Sequence, residues 1–197
     1  MVRLLTLTFV AVFSLANCQS LPTNVSRPTS WAIPDQSQSR LYEKLEPRKK
    51  DHPPEFSGHY PLILGDDAFV ARVTLARMAD HSLDIQYYIW NSDLTGYIMM
   101  DEILEAADRG VRVRILLDDL NLGPYEKTLR ILSLHPNVYI RLSNPFANRY
   151  FRILDLTRLS DIDRRMHNKV FIADNEAAIM GGRNIGNEYF WASKEFN

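Results

Sequence analysis

Residues 166–184 read MHNKVFIADNEAAIMGGRN, and this stretch indicates how the chain folds. Apolar and β-branched residues dominate 166–173 and 177–180, which predicts two strands. Asp174 and Asn175 lie between them and favour a tight turn, so we expect a hairpin. Two glycines end the pair, and Asn184 is the expected start of a last helix.

Strands and helices alternate along the chain before this hairpin. Segments rich in β-branched and aromatic residues predict three strands, at 83–90 (LDIQYYIW), 111–117 (VRVRILL) and 138–142. Apolar side chains at helical spacing predict a helix capped by Asp66, another closed by Gly110, and a third over 125–134. The alternation predicts an α/β domain with a central, largely parallel mixed sheet flanked by helices.

The first 57 residues carry a different composition. Residues 1–18 hold a basic start and an apolar run shorter than the ~20 residues that span a bilayer, which predicts an export signal. The run ends in LANC, which resembles a bacterial lipobox with Cys18 as the lipidated residue; an ordinary secretory signal or an uncleaved anchor is the alternative. Residues 19–57, rich in Ser, Pro, Gln and charge, predict a polar linker in which Trp31 and Leu41 dock locally.

Overall composition is that of a globular protein, with 46% hydrophobic and 24% charged residues. The net charge of -1 gives no support for a nucleic-acid partner, and none is expected. Cys18 is the single cysteine, so an intramolecular disulfide is excluded and the fold depends on its core.

The chemistry centres on His167 and Lys169. Side chains two residues apart on a strand share a face, so these two point the same way. An imidazole titrates near neutrality and an ammonium offsets charge on phosphate oxygens, which together suit phosphoryl transfer. Gly181 and Gly182 would let the backbone approach an anion closely, and Asn184 offers an amide donor to the same oxygens.

The spacing HxKxxxxD followed by GGxN resembles the signature motif of the phospholipase D superfamily. The flanking residues 164–190 look like the first motif of bacterial cardiolipin-synthase-like members, and the likeness extends back through 135–146 and 111–119 to about residue 56. It implies that residues 58–197 form a phospholipase-D-like domain with one motif, incomplete at its C-terminal end.

The resemblance also implies roles for the motif residues. His167 matches the histidine that serves as nucleophile or as its acid/base counterpart, in a reaction that uses a phosphohistidine intermediate and no metal or other cofactor. Lys169 and Asn184 match the phosphate-binding residues. Asp174 matches the third residue of the catalytic motif, with a mainly structural role and a possible ion pair to Lys169.

The family orients its histidine through an acidic residue further downstream. Glu188 and Glu195 are the candidates within this chain, and the residue can also lie beyond Asn197.

Elsewhere the simpler interpretation is preferred. Asp118 and Asp119 are expected to cap a turn rather than bind a metal.

Two further groups of residues have a simple interpretation. Tyr87, Tyr88 and Trp90 are expected to be core strand residues rather than a substrate platform. Arg164 and Arg165 are expected to be solvated, with contact to a lipid phosphate as the alternative.

A complete site of this family needs two such motifs, and a second HxKxxxxD is not found in this sequence. We therefore expect a partner that supplies the other motif, either a second copy of the chain or another half. The leading hypothesis is a phospholipid-directed phosphatidyltransferase or phosphodiesterase, exported and held at a membrane surface on the periplasmic or cell-envelope side. A dimeric single-motif nuclease or phosphodiesterase and an inactive fragment are the alternatives.

Lipidation can be tested directly at Cys18. If Cys18 carries the lipid, the protein expressed in bacteria takes up a fatty-acid probe and loses the label in Cys18→Ala, because the thiol is the attachment point. Ser20→Ala, two residues further on, serves as the control and keeps the label. An unlabelled and freely soluble mature protein contradicts the lipobox interpretation.

Overall fold

The computed structural model describes residues 20–34, 38–53, 55–149, 155 and 163–192. Its strands are β1 Ser82–Tyr87, β2 Arg112–Asp118, β3 Val138–Ser143, β4 Lys169–Ala173 and β5 Ala177–Met180. Together they form one sheet in the order β3-β2-β1-β4-β5.

Helices pack against this sheet. Their bounds are α1 Arg40–Lys49, α2 Gly65–Met78, α3 Leu94–Asp108 and α4 Glu126–Leu132, with short 3-10 turns at Asp119–Asn121, Gly123–Tyr125 and Asn187–Tyr189. Helices α2 and α3 pack on each other, α2 contacts β4, and α3 contacts β2. The predicted α/β class with a mixed sheet flanked by helices is confirmed.

The sheet has a parallel half and an antiparallel half. Strand β1 pairs in parallel with β2, and β2 pairs in parallel with β3, since helices connect them. The hairpin of β4 and β5 adds two antiparallel pairings, with Tyr87 opposite Lys169 and Val170 opposite Met180. One edge of the sheet therefore collects the carboxyl ends of β1, β2, β3 and β5 and the amino end of β4.

Alternation of side chains along the strands sets the core. Leu83, Ile85 and Tyr87 of β1 are buried, and the residues between them are half-buried. The same period-two pattern in β2 buries Val113 and Ile115, as expected when one face of a sheet is covered by helices.

Helix ends follow local chemistry in one case and tertiary packing in another. The Asp93 carboxylate accepts a hydrogen bond from the Gly96 backbone N–H at 3.0 Å and caps α3, and Gly110, with φ +98°, follows its end as predicted. The prediction that Asp66 caps α2 is wrong. The helix begins at Gly65 with Leu64 at the N-cap position and no side-chain cap. Gly65 itself is packed so tightly that a Cβ there would lie 3.0 Å from the Phe190 Cα.

The expected linker 19–57 contains helix α1, which its average composition did not predict. Ser39 Oγ caps the helix by accepting from the Tyr42 N–H at 3.1 Å, and Leu41, only 4% exposed, joins the core as expected. Arg40 holds the helix to Asp80 through its backbone N–H at 2.8 Å. Trp31 does not dock, because its side chain is 77% exposed.

Two predicted ends shift in the folded chain. Strand β4 begins at Lys169 rather than at 166, so His167 lies just ahead of it. The expected helix opening at Asn184 is absent from the described residues, where only the 3-10 turn Asn187–Tyr189 follows. Asn184 does not cap a helix because its side-chain oxygen accepts the Ile89 N–H at 3.1 Å.

The export signal and Cys18 lie outside the described residues, so both stay predictions. In the ranges that are described, none of the helices combines the length and the apolar run needed to cross a bilayer.

The β4–β5 turn is built as predicted, and its first residue, Asp174, also forms hydrogen bonds outside the turn. Asp174 and Asn175 both have positive φ, at 51° and 54°, which a type I′ turn requires. The Asp174 side chain is fully buried and accepts three backbone N–H groups, from Asp80 at 2.9 Å and from His81 and Ser82 at 2.8 Å. This carboxylate ties the hairpin to the loop that enters β1.

The suggested ion pair between Asp174 and Lys169 is not formed. The two residues lie at opposite ends of β4, and five residues of strand at ~3.3 Å each separate them by far more than an ion-pair distance. In this structure the Asp174 carboxylate contacts backbone N–H groups, and its interactions are those of a structural residue.

Removing this carboxylate has a predictable effect on stability. Asp174→Asn keeps a residue that tolerates positive φ but turns an NH2 group toward a backbone donor, so we expect a loss of about 1–3 kcal/mol. Urea unfolding of the full chain measures the change. Asp101→Ala, at an exposed position of α3, is the matched control, and equal stability of the two variants argues against the proposed role.

Candidate active site

His167 and Lys169 lie at the sheet edge where the carboxyl ends of the parallel strands meet. Ligands bind at this edge in open α/β sheets, because loops there present side chains and backbone groups around a crevice. The antiparallel direction of β4 brings its amino end, Lys169, to this edge. Gly181 follows β5 at the same edge, and its N–H approaches the Lys169 carbonyl at 3.4 Å.

His167 is exposed and lies two residues before the start of β4 at Lys169. Its ring centroid lies 4.9 Å from that of Tyr88, with the two planes tilted by 51°. Its backbone carbonyl accepts a hydrogen bond from Lys169 Nζ at 2.9 Å. The imidazole is therefore open to a substrate while one aromatic neighbour contacts its ring.

Lys169 is unusual because its side chain is buried, with 5% of the residue exposed. Its Nζ lies 5.2 Å from the centre of the Tyr88 ring, so the ammonium and the imidazole of His167 share this neighbour. Burial lowers the pKa of Lys169, because removal of water disfavours the charged form. The prediction placed His167 and Lys169 on one face of a strand; in the structure His167 lies ahead of β4, and the two side chains contact the same ring.

Tyr88 is a site residue that the sequence interpretation missed. Tyr87 and Trp90 are buried in the core as expected, with ring centroids 5.6 Å apart. Tyr88 is half-buried and faces the two motif residues instead. Tyr88 follows the last residue of β1, and the pairing of β1 with β4 brings it beside the motif, so the strand pattern of its own segment did not indicate this contact.

Asp118 is the second residue with an unforeseen contact. It accepts the Leu120 N–H at 2.9 Å, which is the predicted capping role, and it also accepts the Met166 N–H at 2.9 Å. Arg165 donates to the same carboxylate at 3.0 Å. A fully buried acid at the end of β2 thus holds the residue that directly precedes His167.

Arg165 is held within the fold and is not solvated. Besides Asp118, its guanidinium reaches the Asn144 carbonyl at 3.3 Å and lies 5.0 Å from the centre of the Phe146 ring. The expectation that Arg165 is solvated is therefore wrong, while Arg164 is exposed as expected.

Asn184 and the glycines border the same edge in different ways. Asn184 is 4% exposed and its amide donates to the Tyr189 hydroxyl at 3.1 Å, so one of its two N–H donors is used within the fold. Gly181 and Gly182 are exposed, and a Cβ added to either would meet nothing within 4 Å. Packing therefore does not require glycine at these two positions, which leaves room for a ligand beside the backbone.

The acidic partner of His167 is not found in the described part of the chain. Glu188 accepts from the Asn91 amide at 2.8 Å instead, and Glu195 lies outside the described residues. The same residues hold no group of three or more His, Cys, Asp or Glu side chains that could bind a metal ion.

Known proteins provide a comparison for this arrangement. The family model described as "Cardiolipin synthase, PLD-like domain" matches residues 73–197. "Cardiolipin synthase C" of Escherichia coli (strain K12) is 47% identical over 79% of this chain and 33% of its own length. "Cardiolipin synthase 1" of Bacillus cereus is 33% identical over 68% of this chain and 25% of its own length.

The chain thus spans between a quarter and a third of the length of these relatives. Among solved structures, NucT from Helicobacter pylori is similar with a TM-score of 0.47 and 21% identity, covering 64% of this chain and 72% of that one. A TM-score below 0.5 carries no inference about function. The family match covers more than half of the sequence, and the chain therefore belongs to the cardiolipin-synthase PLD-like family of phosphodiesterases and phosphatidyltransferases.

Proposed function

We propose that this chain carries one half of a site that transfers or hydrolyses the phosphodiester of a phospholipid through a phosphohistidine intermediate. The observation that supports it best is the contact of His167 and Lys169 with one aromatic ring at the ligand-binding edge of the sheet. The names of the cardiolipin synthase relatives support phospholipid as the substrate class.

The proposed reaction has two steps with one histidine attacking in the first. A ring nitrogen of His167, or of its counterpart, forms a bond to phosphorus as the P–O bond to the leaving alcohol breaks. The other histidine donates a proton to that alcohol oxygen. In the second step the hydroxyl of water or of an acceptor alcohol attacks phosphorus, the P–N bond breaks, and the second histidine takes the proton.

Lys169 is suited to bind the phosphate oxygens. An ammonium has three N–H donors, and the His167 carbonyl uses one of them. The other two are available to a substrate, and charge at a site from which water is excluded stabilises developing negative charge more than charge in water does. Gly181 and Gly182 leave space for the backbone to approach the same oxygens.

The second histidine has to come from elsewhere, since this sequence contains one HxKxxxxD. A second copy of the chain or a separate polypeptide with the other motif would complete the site. A membrane surface as the place of action, with an anchor at Cys18, belongs to the same proposal.

The histidine assignment is tested by substitution in the active assembly. His167→Ala should abolish turnover of phospholipid vesicles, because it removes the nucleophile or the general acid. Lys169→Ala should lower kcat by about 100- to 1,000-fold, the usual effect of losing one group that stabilises transition-state charge. Release of the alcohol headgroup is measured at several protein concentrations, with and without a protein that supplies the other motif.

His135→Ala is the control for this series. His135 lies ahead of β3 at the opposite edge of the sheet, where its ring contacts Asp108 at 3.1 Å and accepts the Asn137 N–H at 3.1 Å. We expect ordinary activity once the variant is shown to be folded, and a chelator should leave the wild type unchanged. A His167→Ala protein with ordinary turnover in a clean preparation refutes the site assignment.

The lowered pKa of Lys169 predicts a pH dependence of phosphate binding. As pH rises through this pKa the ammonium becomes neutral, so affinity for inorganic phosphate should fall at a lower pH than expected for an ordinary lysine. Lys169→Arg keeps its charge and should abolish this alkaline loss. Calorimetric titration with phosphate at increasing pH measures both proteins, and identical profiles contradict the prediction.

A further inference from the structure

Tyr88 contacts both motif residues, although nothing in the motif itself includes it. We propose that Tyr88 is a positioning residue whose ring holds the Lys169 ammonium beside His167 before a phosphate group arrives. The proposal rests on the proposed function, because it assigns the tyrosine a part in preparing that same site. It deepens that function by naming what keeps the cation in place in the free protein.

The buried charge of Lys169 is the first observation that supports this role of Tyr88. A buried ammonium loses hydration, and such groups are usually compensated by a carboxylate. Among the described residues no carboxylate forms an ion pair with Lys169, and its one hydrogen bond goes to the neutral His167 carbonyl. The Tyr88 ring at 5.2 Å is the remaining source of compensation, since the negative face of an aromatic ring attracts a cation.

The backbone on both sides of Tyr88 is held by contacts within the fold. Tyr87, directly before it, is anchored in the core by the Arg72 guanidinium, which donates to its hydroxyl at 2.8 Å. Ile89, directly after it, donates its N–H to the buried Asn184 at 3.1 Å. Both neighbours are fixed by contacts distant in sequence, so the backbone presents Tyr88 at a defined place on the edge of the sheet.

The imidazole of His167 is exposed and also contacts the Tyr88 ring. In the described part of the chain no side chain forms a hydrogen bond to the His167 ring, and Tyr88 is its ring contact at 4.9 Å. The same tyrosine therefore limits the positions of the imidazole and of the ammonium together. Geometry of this kind, set before substrate binds, reduces the ordering that the reaction requires.

The decisive measurement is the pKa of Lys169 in full-length Tyr88 variants, followed by NMR of the lysine side chain and assigned with Lys169→Arg. Tyr88→Leu should lower this pKa by about half a unit, because the ring no longer favours the charged form. Tyr88→Phe keeps the ring and should match the wild type. Inorganic phosphate should bind about 2- to 5-fold more weakly to Tyr88→Leu near neutral pH.

Tyr139→Leu is the matched control, because Tyr139 is a half-exposed strand tyrosine on β3. It should change neither the Lys169 pKa nor phosphate affinity. Tyr88→Met replaces Tyr88→Leu if the latter does not fold. If a folded variant without the ring keeps the wild-type pKa of Lys169, the proposal is overturned, whatever the affinity of that variant for phosphate. If phosphate does not bind the wild type, the proposed function fails, and the Lys169 pKa still decides the role of Tyr88.

Discussion

The buried carboxylate of Asp174 is the interaction on which the position of the site depends. By accepting three backbone N–H groups from residues 80–82, it fixes where the β4–β5 hairpin meets the entrance to β1. That attachment sets the antiparallel register in which Tyr87 lies opposite Lys169. The motif aspartate thus lies at one end of the strand, and His167 and Lys169 lie at the other end.

Much of the fold could be predicted from sequence because its signals are local. Strand periodicity, the Asp174–Asn175 turn and the glycine after α3 each depend on a few neighbouring residues. Helix α1 and the start of α2 could not be predicted in this way. Leu41 is buried by contact with a distant core, and Gly65 is set by the backbone of Phe190. Such contacts are invisible to composition averaged over a segment.

The site residues also differ in whether their contacts are local in sequence or distant. The short spacing of His167 and Lys169 was sufficient to predict that they lie near each other, because they are only two residues apart in the chain. Tyr88 and Asp118 reach the motif from strands about 50 to 80 residues earlier in the chain, so only the order of strands in the sheet reveals them. The pairing of Asp174 with Lys169 failed for the opposite reason, since residues close in sequence are held apart by an extended strand.

The open space beside Gly182 makes this position suitable for a reporter group. Neither packing nor a left-handed backbone angle demands glycine there, so a Gly182→Cys substitution adds a thiol with little disturbance of the fold. The sequence has a single cysteine, at position 18, so a Cys18→Ala background would make the new thiol unique. A fluorophore attached at residue 182 would then report directly on molecules arriving at the sheet edge that holds His167 and Lys169.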